Sequence, residues 1–151
     1  MSTREIIKEL IQRLYSESIR SGLNFHISPY DLSGNNYLVA EDGTFLGNLS
    51  GKYDNKSIFN PYSPFGSRYS VTSIFNQYSQ YGNRYSIQSP FNRYTVTPPK
   101  IFIGGRYFGR LTANKYVVDA KSVDVFLFYV LNQLGLLDER LDDLIELISR
   151  I

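Results

Sequence analysis

Apolar residues follow three different rhythms along this chain. Near the start, Ile6, Ile7, Leu10, Ile11, Leu14 and Ile19 recur at helical intervals. Ser2 and Glu5 stand ahead of them at capping-box spacing and Gly22 ends the pattern, which predicts an N-terminal helix over 1–23. Near the end, Ser122 can cap a dense apolar run from Val123 to Leu134 that Gly135 closes. Val125 to Leu131 are apolar without a break, so this segment reads as a helix buried on more than one side. A run so rich in β-branched and aromatic residues is equally compatible with a buried strand. Asp138 then opens a last helix with Leu141, Leu144, Ile145, Ile148 and Ile151 on one stripe, completing a helical region over 122–151.

The middle is built differently. Residues 49–64, 65–80 and 81–96 are three units of 16 with five identical columns: Tyr53/Tyr69/Tyr85, Ser57/Ser73/Ser89, Phe59/Phe75/Phe91, Asn60/Asn76/Asn92 and Tyr62/Tyr78/Tyr94. Lys52, Arg68 and Arg84 precede the first tyrosine of each unit. A second duplication brackets the repeats, since Gly43 to Ser50 is similar to Gly105 to Thr112. Each copy reads as the return strand of a hairpin, 37–40 with 44–49 across Glu41-Asp42-Gly43 and 101–103 with 106–111 across Gly104-Gly105.

A 16-residue unit has room for short extended segments and turns, but not for a pair of helices. Gly66 and Gly82, sixteen residues apart, are expected where the chain bends through positive φ. The Ser-x-x-Asn element at Ser57 to Asn60 can hold a capped turn by side-chain to backbone bonds. Stacking of the units predicts a phenylalanine ladder inside, with tyrosines at its boundary. The fold class that follows is α+β, a single domain over 1–151 in which the hairpin, repeat and hairpin block spans 37–116.

The string Tyr-Gly-x-Arg-Tyr-Ser-x-x-Ser-x-x-Asn-x-Tyr, with Gly-x-Phe-Leu-Gly-x-Leu before it and Gly-x-Tyr-Phe-Gly-x-Leu after it, resembles a group of small bacterial proteins of unassigned function, many of them cyanobacterial. Their tandem units read approximately YGSxYSxxSxxNPY. Asn60-Pro61-Tyr62 matches fully, whereas Gln77 and Arg93 replace the proline in later units. The resemblance covers about residues 37–116. It implies the repeat boundaries and a bacterial cytoplasmic setting, and no activity.

The chain has 151 residues and no cysteine, which excludes a disulfide framework, a thiolate metal site and a cysteine nucleophile together. No apolar run approaches the roughly 18 residues of a spanning helix, and Met-Ser-Thr-Arg-Glu lacks the apolar stretch of a secretory signal. The expectation is a cytoplasmic protein with no membrane association. Charge is segregated. Lys56, Arg68, Arg84, Arg93, Lys100, Arg106, Arg110 and Lys115 are the only charged residues from Asn55 to Val118, while the remaining segments carry eight basic and fourteen acidic residues. Such asymmetry points to a polyanion partner, or to acidic helices lying against a basic block.

Candidate chemistry is sparse. His26 is the sole imidazole. Asp138, Glu139, Asp142, Asp143 and Glu146 share helical spacing, as carboxylate metal ligands or as a solvated face would. Neither Gly47 to Gly51 nor Gly104 to Gly109 has the spacing of a nucleophile elbow, dinucleotide loop or P-loop. The expectation is no enzyme, no cofactor and no metal. Two binding readings follow. The first is a protein-interaction or structural module that docks a protein partner, or a second copy of itself, through its terminal helices, with Ile7, Leu10, Leu14, Leu144 and Ile148 as contacts. The alternative is nucleic-acid or polyanion binding, in which Lys52, Arg68 and Arg84 neutralise phosphates and Tyr53, Tyr69 and Tyr85 offer stacking surfaces.

Overall fold

A computed structural model describes residues 2–25 and 34–151; His26 and the side chain of Ile7 fall outside the described residues. Helix α1 (Thr3–Phe25) opens as the sequence predicts, with the N–H of Glu5 donating to Ser2 Oγ (3.2 Å). It does not stop at Gly22 but runs to Phe25. One glycine costs a helix only about 1 kcal/mol relative to alanine, which neighbouring turns can carry.

Strands β1 (Tyr37–Val39), β2 (Phe45–Asn48), β3 (Lys100–Ile103), β4 (Arg106–Thr112) and β5 (Ala120–Ser122) form one sheet in the order β2-β1-β3-β4-β5. Both expected hairpins are present, and β1 pairs antiparallel with β3 to join them. The two return strands share a bulge at the equivalent glycines, where Leu38 pairs with Gly47 before the register shifts to Phe45, and Ile101 pairs with Gly109 before it shifts to Tyr107. Strand β5, parallel to β4, has no counterpart in the sequence pattern; at three residues it is too short to show an alternation.

The ambiguous run is helical. Helix α2 (Val123–Gln133) follows β5 directly and is buried from Val125 to Leu131. It packs against α1, α3 and β4, so almost every face meets apolar surface. Ser122 does not cap it: the Ser122 hydroxyl bonds Asp124 Oδ1, which also accepts the N–H of Val125 (2.8 Å). At its other end the N–H of Leu136 donates to Leu131 O (2.9 Å) and that of Gly135 to Asn132 O (3.2 Å), the pairing of a Schellman stop. Helix α3 (Leu137–Ile148) then packs back on α2.

Between β2 and β3 the chain forms neither helix nor strand, so its backbone groups must find partners another way. They find them in steps. N–H to carbonyl bonds run from Ser57 to Asp54, Asn60 to Ser57, Ser63 to Asn60, Ser67 to Ser63, Ser70 to Ser67 and Ser73 to Ser70, and the series then repeats through Asn92 to Ser89. Each corner residue is Ser, Thr, Asn or Asp, and its side-chain oxygen accepts the N–H two residues on: Phe59 to Ser57 (3.0 Å), Tyr62 to Asn60 (2.9 Å), Phe75 to Ser73 (3.0 Å), Tyr78 to Asn76 (3.0 Å), Phe91 to Ser89 (3.1 Å) and Tyr94 to Asn92 (2.9 Å). The Asn60, Asn76 and Asn92 amides reach back to the carbonyls of Asp54, Ser70 and Ser86, six residues upstream. Pro61, Pro64 and Pro90 occupy the position after a corner, where no N–H is required and φ is already set for a turn.

This coil is made of turns throughout, without the expected extended segments. The rings of the Phe59, Phe75 and Phe91 column are not stacked on one another among the described contacts; Phe59 and Phe91 are buried and Phe75 is half-buried. Gly66 and Gly82 do not have positive φ. They are glycine because the backbone passes too close: an added Cβ would lie 2.0 Å from Asn60 O at Gly66 and 2.1 Å from Asn76 O at Gly82. Asp54 welds the first turn to β2. Its carboxylate accepts from the Lys56 N–H, the Ser50 hydroxyl and the Asn48 amide, and these bonds hold its pKa below the usual value. At the far end Ala113 donates its N–H to Pro90 O (2.8 Å) and the Asn114 amide donates to Thr95 O (3.0 Å).

Substituting Gly66 or Gly82 by alanine should cost about 2–3 kcal/mol, the range of an unrelieved overpacking clash. Gly51→Ala, where nothing lies within 4 Å, should leave stability nearly unchanged. Urea unfolding of the three variants makes the comparison.

Candidate functional site

The coil divides its residues by step. The Ser-Ile-Phe, Ser-Ile-Phe and Ser-Pro-Phe steps beginning at Ser57, Ser73 and Ser89 point inward, burying Ile58, Ile74, Phe59 and Phe91 in the core shared with Leu46, Leu111 and α2. Phe65 meets Phe45 edge-on (4.9 Å between ring centres), and Tyr81, sixteen residues later, donates its hydroxyl to Asp42 Oδ2 (2.8 Å). Burial and that carboxylate push the Tyr81 phenol pKa upward.

The other tyrosines face solvent. Tyr53, Tyr62, Tyr69, Tyr78, Tyr85 and Tyr94 are between 79% and 94% exposed, and Tyr116, which follows the Asn114 corner stacked on Thr95, is 84% exposed. They are not boundary residues of a ring ladder, as the sequence suggests. All but Tyr53 stand two residues after a Ser or Asn corner whose side chain accepts their N–H, so the backbone beneath most of these rings is fixed. Val71, Ile87 and Val96 are exposed between them.

Cations sit beside these rings. Lys52 lies over Tyr53 (5.2 Å), Arg84 over Tyr85 (5.3 Å) and Lys115 over Tyr116 (5.2 Å). The three basic residues singled out in the sequence nevertheless differ. Lys52 bonds Glu139 (2.8 Å), and Arg68 bonds Asp143 and lies 3.8 Å from Glu146, both partners being on α3. These carboxylates push the Lys52 and Arg68 pKa values upward. Arg84 has no carboxylate partner among the described residues, nor do Arg93 and Lys115. Lys100 and Arg110 are paired with Glu41 at 3.9 Å and 2.7 Å. Part of the charge asymmetry is thus settled inside the molecule, by α3 lying against the coil, and part is left on the tyrosine face.

No protein-family model, curated protein or solved structure matches the chain. Function is therefore read from geometry. Among the described residues no group of three or more His, Asp or Glu side chains is placed to hold a metal ion, and the acidic residues Glu139, Asp143 and Glu146 of α3 face cations instead. No helix is long and apolar enough to cross a membrane among those residues.

The helix stripes fare differently from the tyrosines. Leu14 and Leu144 are buried in the core and so are not free to meet a partner, while Leu10 and Ile148 pack against it and are partly buried. Part of the amphipathic pattern that nominated them is used where α1 and α3 pack against α2, while Ile6 and Ile19 of the α1 stripe are more than half exposed. Arg140, Arg150 and Tyr116 were not singled out by the sequence. Arg140 donates from Nε to Phe59 O (3.2 Å), and buried Arg150 donates to Ile74 O (3.3 Å) and Phe75 O (2.9 Å) while pairing with Glu146. Tyr116 is legible in hindsight, since Asn114-Lys115-Tyr116 repeats the Asn83-Arg84-Tyr85 step.

Magnitudes separate the two kinds of clamp. Arg150→Ala removes charge-assisted bonds to two carbonyls and should cost about 2–3 kcal/mol in chemical denaturation. Lys52→Ala removes an exposed pair and should leave the unfolding midpoint within experimental error.

Proposed function

We propose that this chain is a non-enzymatic binding module whose recognition surface is the tyrosine face of the coil. The observation that carries the reading is the near-complete exposure of seven tyrosines, six of them on a backbone pinned by corner side chains. Seven large rings left in water are surface available for contact, and exposed apolar surface is what interaction sites are built from. Tyrosine gives broad contact area at low ordering cost, and mounting it on fixed turns lowers that cost again. The first reading of the partner is another protein, whose side chains pack between the rings.

A second reading is favoured by a separate observation: Arg84, Arg93 and Lys115 stand next to Tyr85, Tyr94 and Tyr116 with no carboxylate opposite them among the described residues. Rings interleaved with uncompensated cations suit a single-stranded nucleic acid or another polyanion.

A photoreactive phenylalanine analogue at Tyr78, introduced in the source cells, should yield a discrete protein adduct that the same analogue at exposed Glu9 on α1 does not give. No adduct at Tyr78, or the same adducts from both positions, contradicts the protein reading. For the second, oligonucleotide affinity should fall steeply with salt and fall again in Arg84→Ala/Arg93→Ala; salt-independent binding, or none at low salt, contradicts it.

A further inference from the structure

Four stretches of the chain share one element. Arg68-Tyr69-Ser70-Val71, Arg84-Tyr85-Ser86-Ile87, Arg93-Tyr94-Thr95-Val96 and Lys115-Tyr116-Val117-Val118 each set a cation, a ring and an aliphatic side chain at their first, second and fourth places. In all four the ring and the aliphatic residue are at least 65% exposed. The last three elements lie side by side. Thr95 Oγ1 donates to Ile87 O (2.6 Å), which joins the second to the third, and the Asn114 amide donates to Thr95 O (3.0 Å), which sets the fourth against the third.

The first element differs from these in that its cation has a partner. Asp143 of α3 bonds Arg68, and Glu139, one helical turn earlier, bonds Lys52 (2.8 Å), the cation sixteen residues before Arg68. The molecule thus shows twice that a cation of this column takes a carboxylate from an acidic segment laid beside it. Arg84, sixteen residues further on, is exposed and has no carboxylate partner among the described residues, and the same holds for Arg93 and Lys115.

We propose that the patch formed by residues 84–87, 93–96 and 115–118 docks an acidic segment of a partner protein, with its carboxylates on Arg84, Arg93 and Lys115 and its apolar side chains against Ile87, Val96 and Val118. The proposal rests on the tyrosine face being a recognition surface and names what its later end takes. Phosphates would satisfy the cations and bases the rings, but three exposed aliphatic side chains favour a chain that carries apolar groups of its own.

The full chain, methyl-labelled and of natural sequence, is titrated by NMR with a synthetic peptide in which glutamates alternate with leucine and proline, with the glutamine version of that peptide, and with an oligothymidylate of equal charge. The glutamate peptide should give saturable shifts at the Ile87, Val96 and Val118 methyls, with Val71 unmoved, and should bind about tenfold tighter than the glutamine version at low salt. Arg84→Gln/Arg93→Gln should remove most of that difference. No saturable shift with millimolar glutamate peptide overturns the proposal, as do shifts as large at Val71, tighter binding of the oligothymidylate, or a preference for glutamate that survives in the double variant. Equal affinity for the two peptides overturns it while leaving the tyrosine face as a surface, and the adduct at Tyr78 tests that wider reading separately.

Discussion

The structure depends on one short-range bond, the corner side chain that accepts the N–H two residues ahead of it. A segment of this length outside helix and sheet would ordinarily carry unpaired backbone donors, and each one buried costs about 1–3 kcal/mol. Here the corner N–H bonds the preceding corner carbonyl, and the N–H at the third position of the step bonds the corner side chain. The remaining N–H is removed by proline at Pro61, Pro64 and Pro90, lies at an exposed residue such as Arg68, Val71, Arg84 or Arg93, or, at buried Ile58, bonds Asn48 O of β2. Beyond its junction with β2, where the Ile58 N–H bonds Asn48 O and the Asn48 N–H bonds Lys56 O, the coil meets most of these needs locally. It therefore has an outer side, and that side is where the tyrosines stand.

The inner side explains why the coil is held in place. Ser57, Ser73 and Ser89 are fully buried beside Ile58, Ile74 and Phe91, so the polar corner and the apolar wedge enter the core together. Arg150 reaches from beyond α3 to the carbonyls of Ile74 and Phe75, which no backbone donor meets, and its guanidinium lies 5.5 Å from the centre of the Phe91 ring. The exposed pairs from Lys52 and Arg68 to α3 orient that helix against the coil, with less energy at stake in each. Charge segregation along the sequence is in this way used twice, to seat α3 and to leave Arg84, Arg93 and Lys115 on the outer surface.

Much of the frame was legible beforehand. Both hairpins, the two glycine-bearing return strands and the helical ends follow from periodicity and turn residues, because those signals are local. The coil was legible only in part. A sixteen-residue period hides a shorter one, since Ser57, Asn60, Ser63, Ser67, Ser70 and Ser73 advance by three, three, four, three and three. The four-residue step falls at Gly66, and again at Gly82, where the extra residue has to be a glycine because a carbonyl passes against it. Reading the chain as triplets opened by Ser or Asn would have placed the tyrosines two residues past a corner, but buried Phe59, Phe91 and Tyr81 hold the same position, so the triplets alone do not tell outer rings from inner ones. What no pattern could supply was tertiary: that Leu14 and Leu144 are core, that β5 forms at all, and that Arg140 and Arg150 bond coil carbonyls.

Native-state amide hydrogen exchange tests the corner bond most directly. The account predicts slow exchange at the capped N–H groups of Phe59, Tyr62, Phe75, Tyr78, Phe91 and Tyr94, as slow as in α2, and faster exchange at Arg84 and Arg93, one residue past a corner. Uniformly fast exchange from residue 57 to residue 95, with α2 still protected, would contradict it.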